Sequence, residues 1–283
     1  MRKSTLPVVI TVIAAAILIA AMIIPAMYLL SYADEQWTIG LYFRNHQEYI
    51  CVIDDEVAEF NFLAVSLGTE ESDLPSSENS VCYLAGYRAD SFRFYSTNSS
   101  DGRFSTWQLK VNISAPESFT ATEVVFETDG VQTSYDIGKA VYDRIQTDNA
   151  EYSEILYLPY SYLIGTGLDF SCECGVELYN TADADITVES LRLDFPDFSD
   201  FSYRLESSGA IDFPMTLGAG ENVDLTATYK GGLADCVVIL RPAVFYIYDG
   251  VRYVTHADGA NVYYNSMTAD YILELIKERN TDK

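Results

Sequence analysis

From Ser4 to Ala33 the sequence runs for thirty residues without a charged side chain, and most of those positions are Val, Ile, Leu, Ala or Met. A helix needs about 20 such residues to cross the hydrocarbon core of a bilayer, so the run predicts a transmembrane helix over residues 6–33. Pro7 falls in its first turn, where a missing N–H costs little, and Pro25 is expected to kink or end it. Arg2 and Lys3 flank one end, Asp34 and Glu35 the other. That asymmetry leaves residues 1–5 as a cytoplasmic stub and places the bulk of the chain outside the cell membrane. Ser31-Tyr32-Ala33 also offers small residues where a signal peptidase reads, so a cleaved signal peptide is the competing reading. The apolar run exceeds the roughly 7–15 residues of a usual signal-peptide core, which favours an uncleaved single-pass signal anchor. The remainder is exported in either case.

The 283 residues carry 42 acidic and 17 basic side chains, a formal charge of −25, with the basic residues scattered. Such a field repels phosphate backbones and anionic headgroups, so no nucleic-acid partner is expected. Cys51, Cys82, Cys172, Cys174 and Cys236 fit an oxidising compartment. The expected disulfides are Cys51–Cys82, and Cys236 with either Cys172 or Cys174.

After residue 36 strand patterns dominate. Trp107, Leu109, Val111 and Ile113 alternate with polar neighbours, as do Val223, Leu225, Ala227 and Tyr229. Between Ile186 and Phe195 the apolar parity shifts, which a β-bulge at Glu189-Ser190 reconciles. Val237–Leu240 is apolar throughout, as in a central strand. Two hairpins are predicted at Asp129-Gly130 and Asp249-Gly250, because Asp-Gly between apolar runs favours a two-residue type I′ turn. Each is followed by helix-like spacing, Ile137, Val141 and Ile145 in the first case, Tyr271, Ile272, Leu275 and Ile276 in the second. The repetition suggests a duplicated unit of strands, hairpin and helix. The expected organisation is a first β-rich domain over 36–147, a polar linker over 148–156, a second β-sandwich domain over 157–265, and a C-terminal helix and tail over 266–283.

Directly opposed residues of a two-residue hairpin share a face. On that register the second hairpin buries Val244, Tyr246, Tyr248, Val251 and Tyr253, and its other face carries Phe245, Ile247, Arg252 and Val254. The first hairpin is mostly polar there, so something is expected to cover the second. The candidates are the chain's own C-terminal helix, its first domain, or another protein docking on an apolar patch that holds an aromatic and an arginine.

Residues 174–229 also carry a resemblance. C-G-V-E-L-Y-N-T-A-D-A-D-I-T-V-E-S-L-R-L-D-F followed by M-T-L-G-A-G-E-N-V-D-L-T-A-T-Y resembles CARDB-type and related immunoglobulin-like β-sandwiches of prokaryotic cell-surface proteins. Asn180-Thr181-Ala182 lacks the glycine usual in that turn, and residues 194–201 form a Phe- and Asp-rich insertion. The resemblance implies a seven- or eight-stranded sandwich used as a spacer, adhesive or assembly module. It implies nothing catalytic.

His46 and His256 are the only histidines, and the common hydrolase, zinc-protease and nucleotide-binding motifs are missing, so the chain is not expected to be an enzyme. The acids at 54–56, at 70–73 and at Asp194, Asp197 and Asp200 match no EF-hand loop. They are expected to be solvated loops with no cofactor, calcium being the alternative. Twenty-two tyrosines suit half-buried strand positions, with a carbohydrate-binding surface as the second reading. Asn98 and Asn112 head glycosylation sequons. The expected role is binding or assembly with an envelope protein partner. An anchored receptor for a carbohydrate or other small ligand is the alternative, and a pilin-like subunit is a weaker one because no basic-Gly processing site precedes the apolar run.

Overall fold

The structure is a computed structural model that describes residues 40–69, 71–97, 104–147, 150–158, 161–166, 171–192, 202–205, 209–210, 212–230, 236–257 and 261–263, with helical positions at 272 and 275–277. All of them belong to one compact unit spanning residues 40–283. The protein is mainly β, as the strand patterns require. No helix among the described residues is long and apolar enough to cross a membrane, and residues 6–33 lie outside them.

Four sheets stack around two cores. A seven-stranded central sheet runs in the order β22 (Asn261–Tyr263), β19 (Cys236–Arg241), β2 (Asn45–Ile53), β9 (Val131–Ile145), β8 (Phe119–Thr128), β4 (Ser80–Leu84) and β5 (Tyr87–Arg88). Its middle strands β19, β2 and β9 are parallel. β19, most of β2 and the second half of β9 are buried on both faces, which is why Val237–Leu240 reads as an unbroken apolar run. A four-stranded sheet, β1 (Gly40–Phe43), β3 (Ala58–Leu67), β7 (Phe104–Ile113) and β6 (Ser91–Ser96), covers one face. The 3-10 turn at Glu71–Asp73 precedes β4.

The other face meets two sheets from later in the chain. One is β10 (Glu151–Tyr152), β21 (Val251–His256), β20 (Ala243–Tyr248), β14 (Ile186–Arg192) and β17 (Met215–Leu217). The other has β13 (Ser171–Asn180) paired with β11 (Leu156–Tyr157) and β12 (Ser161–Thr166) on one edge and with β18 (Asn222–Lys230) on the other, followed by β15 (Ser202–Leu205) and β16 (Gly209–Ala210).

Alternation along β2 shows how the layers divide. Ile50 and Val52 enter the core under the four-stranded sheet, whereas Tyr49, Cys51 and Ile53 enter the core shared with the later sheets. Cys82 on β4 belongs to the first of these cores and Cys51 to the second, with β9 and β8 between their strands. The expected Cys51–Cys82 disulfide is therefore incorrect: both thiols are free and buried, and they point to opposite faces of a sheet. Burial pushes the Cys82 thiol up to about 12, so it stays protonated. The side chains of Cys172, Cys174 and Cys236 lie outside the described residues.

The helix expected over Ile137, Val141 and Ile145 is also corrected, since all three lie in strand β9. A spacing of four fits one strand face as well as one helix face, so it does not discriminate. Ile137 enters one core while Val141 and Ile145 enter the other, because the chain changes parity at Gly138, whose φ is +86°. Ile272, Leu275 and Ile276, by contrast, are helical and buried.

Both hairpins form as predicted, with Thr128 opposite Val131 and Tyr248 opposite Val251. Asp129, Gly130, Asp249 and Gly250 all have φ between 49° and 78°, the left-handed pair a type I′ turn needs. The β14–β20 register shifts between Val188 and Ser190, which places the bulge where the parity change did. The 148–156 stretch contains β10, which pairs in parallel with Tyr253 and Val254, and Ala150, which is buried.

Gly138 supplies the first test. A Cβ there would lie 2.5 Å from the His46 carbonyl oxygen and 2.6 Å from its nitrogen, on a backbone few side chains adopt. Gly138→Ala is expected to destabilise the protein by about 1–3 kcal/mol in urea unfolding.

Candidate functional site

Three groups of buried polar side chains stand out, two of them assembled from strands far apart in sequence. The first surrounds Asp143 of β9, which is 5% exposed among apolar neighbours. Arg192, at the end of β14, donates from Nε to Oδ2 and from Nη2 to Oδ1, each at 2.7 Å. Tyr49 donates its hydroxyl to Oδ2 at 2.5 Å, and the Ser118 hydroxyl approaches Oδ1 at 3.3 Å. The Cys51 thiol donates to the Tyr49 oxygen at 3.1 Å and lies 3.7 Å from Oδ2. Burial, then the neighbouring Cys51 and the Asp143 carboxylate, push the Tyr49 phenol far above its usual range, so it donates as a neutral hydroxyl. Burial likewise keeps Cys51 a thiol. A shielded, protonated thiol is a poor nucleophile. The cluster opens onto a concavity of about 430 Å³ whose lining includes Ser118, Thr120, Val141, Asp143 and Arg192.

The second group joins the turn after β2 to the later strands. Glu56 accepts from Arg241 Nη2 at 3.0 Å and pairs with His256 Nε2 at 2.8 Å. Burial works against the charge of Glu56, but the His256 hydrogen bond and the Arg241 charge outweigh it and hold the carboxyl at about 2. Its neighbours in sequence do different work. Asp54 binds the Thr147 N–H at 3.0 Å and hydroxyl at 2.6 Å, and Asp55 pairs with Arg144 at 2.8 Å. The three acids thus diverge rather than converge on one ion. No group of three His, Cys, Asp or Glu side chains that could hold a metal occurs among the described residues. Asp194, Asp197 and Asp200 lie outside them.

The third group lies at the start of β2, where Arg44, just before the strand, and His46 and Glu48 within it are each fully buried. Register pairs β1 only with Ala64–Leu67 of β3, so the rest of that edge needs other partners. Arg44 N–H bonds the Leu63 carbonyl at 3.0 Å, His46 Nε2 accepts the Leu63 N–H at 2.9 Å, and Glu48 Oε1 accepts the Asn61 N–H at 3.2 Å. Side chains of β2 thereby continue the ladder that β1 leaves off. With Nε2 accepting, the neutral His46 ring is assigned its proton on Nδ1. Burial and the Arg44 charge lower its pKa to about 3. Burial raises Glu48 well above the usual carboxyl range, which leaves it a neutral acid. His46 Nδ1 and Glu48 Oε2 have no hydrogen-bond partner.

The hairpin face divides. Val254 is fully buried, Phe245 and Ile247 are partly buried, and Arg252 is exposed. The Arg252 guanidinium lies 4.7 Å from the Phe245 ring centroid and pairs with Glu189 at 2.6 Å. Tyr152 of β10 shares this face beside Val254, with its ring 6.0 Å from that of His256. The protein's own residues therefore cover its inner part and leave Ile247 and Arg252 at the rim. Asn112 is partly buried and donates to Ser91 Oγ at 2.9 Å, and Asn98 lies outside the described residues.

The motif residues of the sandwich resemblance interlock. The Asn180 side-chain amide, fully buried, donates toward the carbonyls of Ala184, Leu217 and Gly218 at 2.9–3.0 Å. Gly218 N–H in turn bonds the Glu221 carboxylate at 2.7 Å. Asn180 therefore ties the end of β13 to the turn that leads into β18.

No family model matches the sequence, and no curated protein matches it. Among solved structures the chain overlaps a protein of unknown function from Porphyromonas gingivalis W83, at 9% identity over 77% of this chain and 98% of that one, with a TM-score of 0.24. It also overlaps the D00-D0 domain of Intimin, at 7% identity over 80% and 100% of the two chains, with a TM-score of 0.22. A third overlap is with the C-terminal domain of the Streptococcus agalactiae AgI/II polypeptide BspA, at 8% identity over 79% and 100%, with a TM-score of 0.20. Overlaps this slight carry no argument about the site, which rests on its own geometry.

Two substitutions separate the roles of these groups. Asp143→Asn keeps the shape but removes the charge holding Arg192, and is expected to lower stability by about 1–2 kcal/mol, a modest loss because Arg192 is partly solvated. Glu48 retains in the fold a proton that the unfolded chain releases above about pH 4.5, so its contribution is full below that pH and declines as pH rises. Glu48→Gln removes this decline, and its stability relative to wild type is expected to grow from about pH 4.5 upward in denaturant titrations.

Proposed function

We propose that the chain is a single-pass membrane protein, anchored by residues 6–33, whose exported immunoglobulin-like β unit serves binding or assembly at the cell envelope without catalysis. The observation that carries this reading is the thirty-residue uncharged run from Ser4 to Ala33, joined in one chain to a unit of stacked sheets. The polar clusters add support, because each spends its polar groups on joining strands: Asp143 to Arg192, Glu56 to Arg241 and His256, and β2 to the open edge of β3. The partner in this reading is an envelope protein that meets the hairpin rim at Phe245, Ile247 and Arg252.

In-cell crosslinking of the full-length protein in its native host tests both parts. Wild type is expected to stay in the membrane pellet through alkaline carbonate extraction and to crosslink to one defined envelope protein. Ile247→Asp is expected to stay in the pellet and lose that crosslink. Release of wild type by carbonate would refute the anchor, and an undiminished crosslink in the variant would refute the docking face.

A further inference from the structure

The concavity beside Asp143 has a feature that strand joining does not require. Both carboxylate oxygens are already saturated, Oδ2 by Tyr49 and Arg192 Nε, Oδ1 by Arg192 Nη2 and Ser118. Arg192 is thus locked in a bidentate fork with its charge neutralised, while its side chain remains 41% exposed at the mouth. A guanidinium carries five N–H donors, and Nη1 is outside the fork. Thr120, directly opposite Val141 in the β8–β9 ladder, adds an exposed hydroxyl that donates and accepts. Phe119, partly buried, and the 8%-exposed edge of Val141 supply the apolar part of the lining, and the volume of about 430 Å³ falls within the roughly 300–1,000 Å³ of small-molecule pockets.

These properties select a ligand class. An anion would meet an arginine that is already neutralised, in a chain of net charge −25. A purely apolar ligand would strip water from the Arg192 and Thr120 donors without replacing it. A compact ring with several hydroxyls satisfies the fixed donors, uses the hydroxyl acceptors and sets its C–H face on the apolar patch. We propose that this concavity binds a saccharide unit, oriented by the free edge of Arg192 and by Thr120. The site lies apart from the hairpin rim and does not depend on an envelope partner.

The test uses full-length protein in a sugar-free zwitterionic detergent and saturation-transfer NMR with methyl glycosides of glucose, mannose and N-acetylglucosamine, beside acetate and inorganic phosphate. At least one glycoside is expected to receive saturation from wild type and from Ile247→Asp alike. Thr120→Arg, which fills the concavity from an exposed strand position, is expected to weaken that binding roughly tenfold or more at an unchanged melting temperature. Thr120→Val, which removes only the hydroxyl, is expected to weaken it less. No transfer to any glycoside overturns the proposal, as does transfer that Thr120→Arg leaves intact. Transfer to acetate or phosphate but to no glycoside overturns the neutral-ligand assignment.

Discussion

The parallel pairing of β19 with β2 is the contact on which the rest of the structure depends. It brings a strand from residues 236–241 into a sheet otherwise built, apart from β22, from residues 45–145. Because β19, most of β2 and the second half of β9 place apolar side chains in both cores, they are stable only as the middle layer of a stack, and each neighbouring sheet is needed to dry one side. The two cores are consequences of that middle layer. Cys51 and Cys82, close in type and both buried, are separated by it.

The most buried charged pairs sit at seams. Arg192 reaches from β14 to Asp143 on β9, and Arg241 and His256 reach from β19 and β21 to Glu56 beyond β2. Where β1 ends, His46 and Glu48 take over its hydrogen-bonding task for β3. Each arrangement satisfies backbone or carboxylate groups that burial would otherwise leave unpaired. In a chain with 42 acidic residues, placing Arg192 at a join between sheets enlarges its effect, since a buried pair is less screened than a surface one.

Local features were legible before the structure. Asp-Gly marked both turns and their register, the parity break in I-T-V-E-S-L-R-L marked the bulge, and alternation marked β7 with Leu109, Val111 and Ile113 all fully buried. Strand β9 was misread because a four-residue spacing satisfies both periods. The partner of Val237–Leu240 was not legible, since parallel pairing across about 190 residues leaves no local trace. The Asp143 cluster lacked a motif, but it had a signal: a lone acid inside the apolar stretch A-V-Y-D-R-I. Arg44, His46 and Glu48 interrupt Y-F-R-N-H-Q-E-Y-I-C-V-I in the same way. A charge inside an apolar strand needs a partner from elsewhere, and asking what that partner is would have singled out both clusters.

The β2–β19 contact also orders events in time. During synthesis the β3, β7, β8 and β9 segments emerge long before residue 236, and until then the β2 edge that β19 will occupy presents unpaired N–H and C=O groups beside apolar side chains. An early-folded N-terminal portion is thus a sticky intermediate, and its exposure lasts as long as translation of the intervening chain. Secretion in an unfolded state, or a holding chaperone on the early sheet, would remove that hazard.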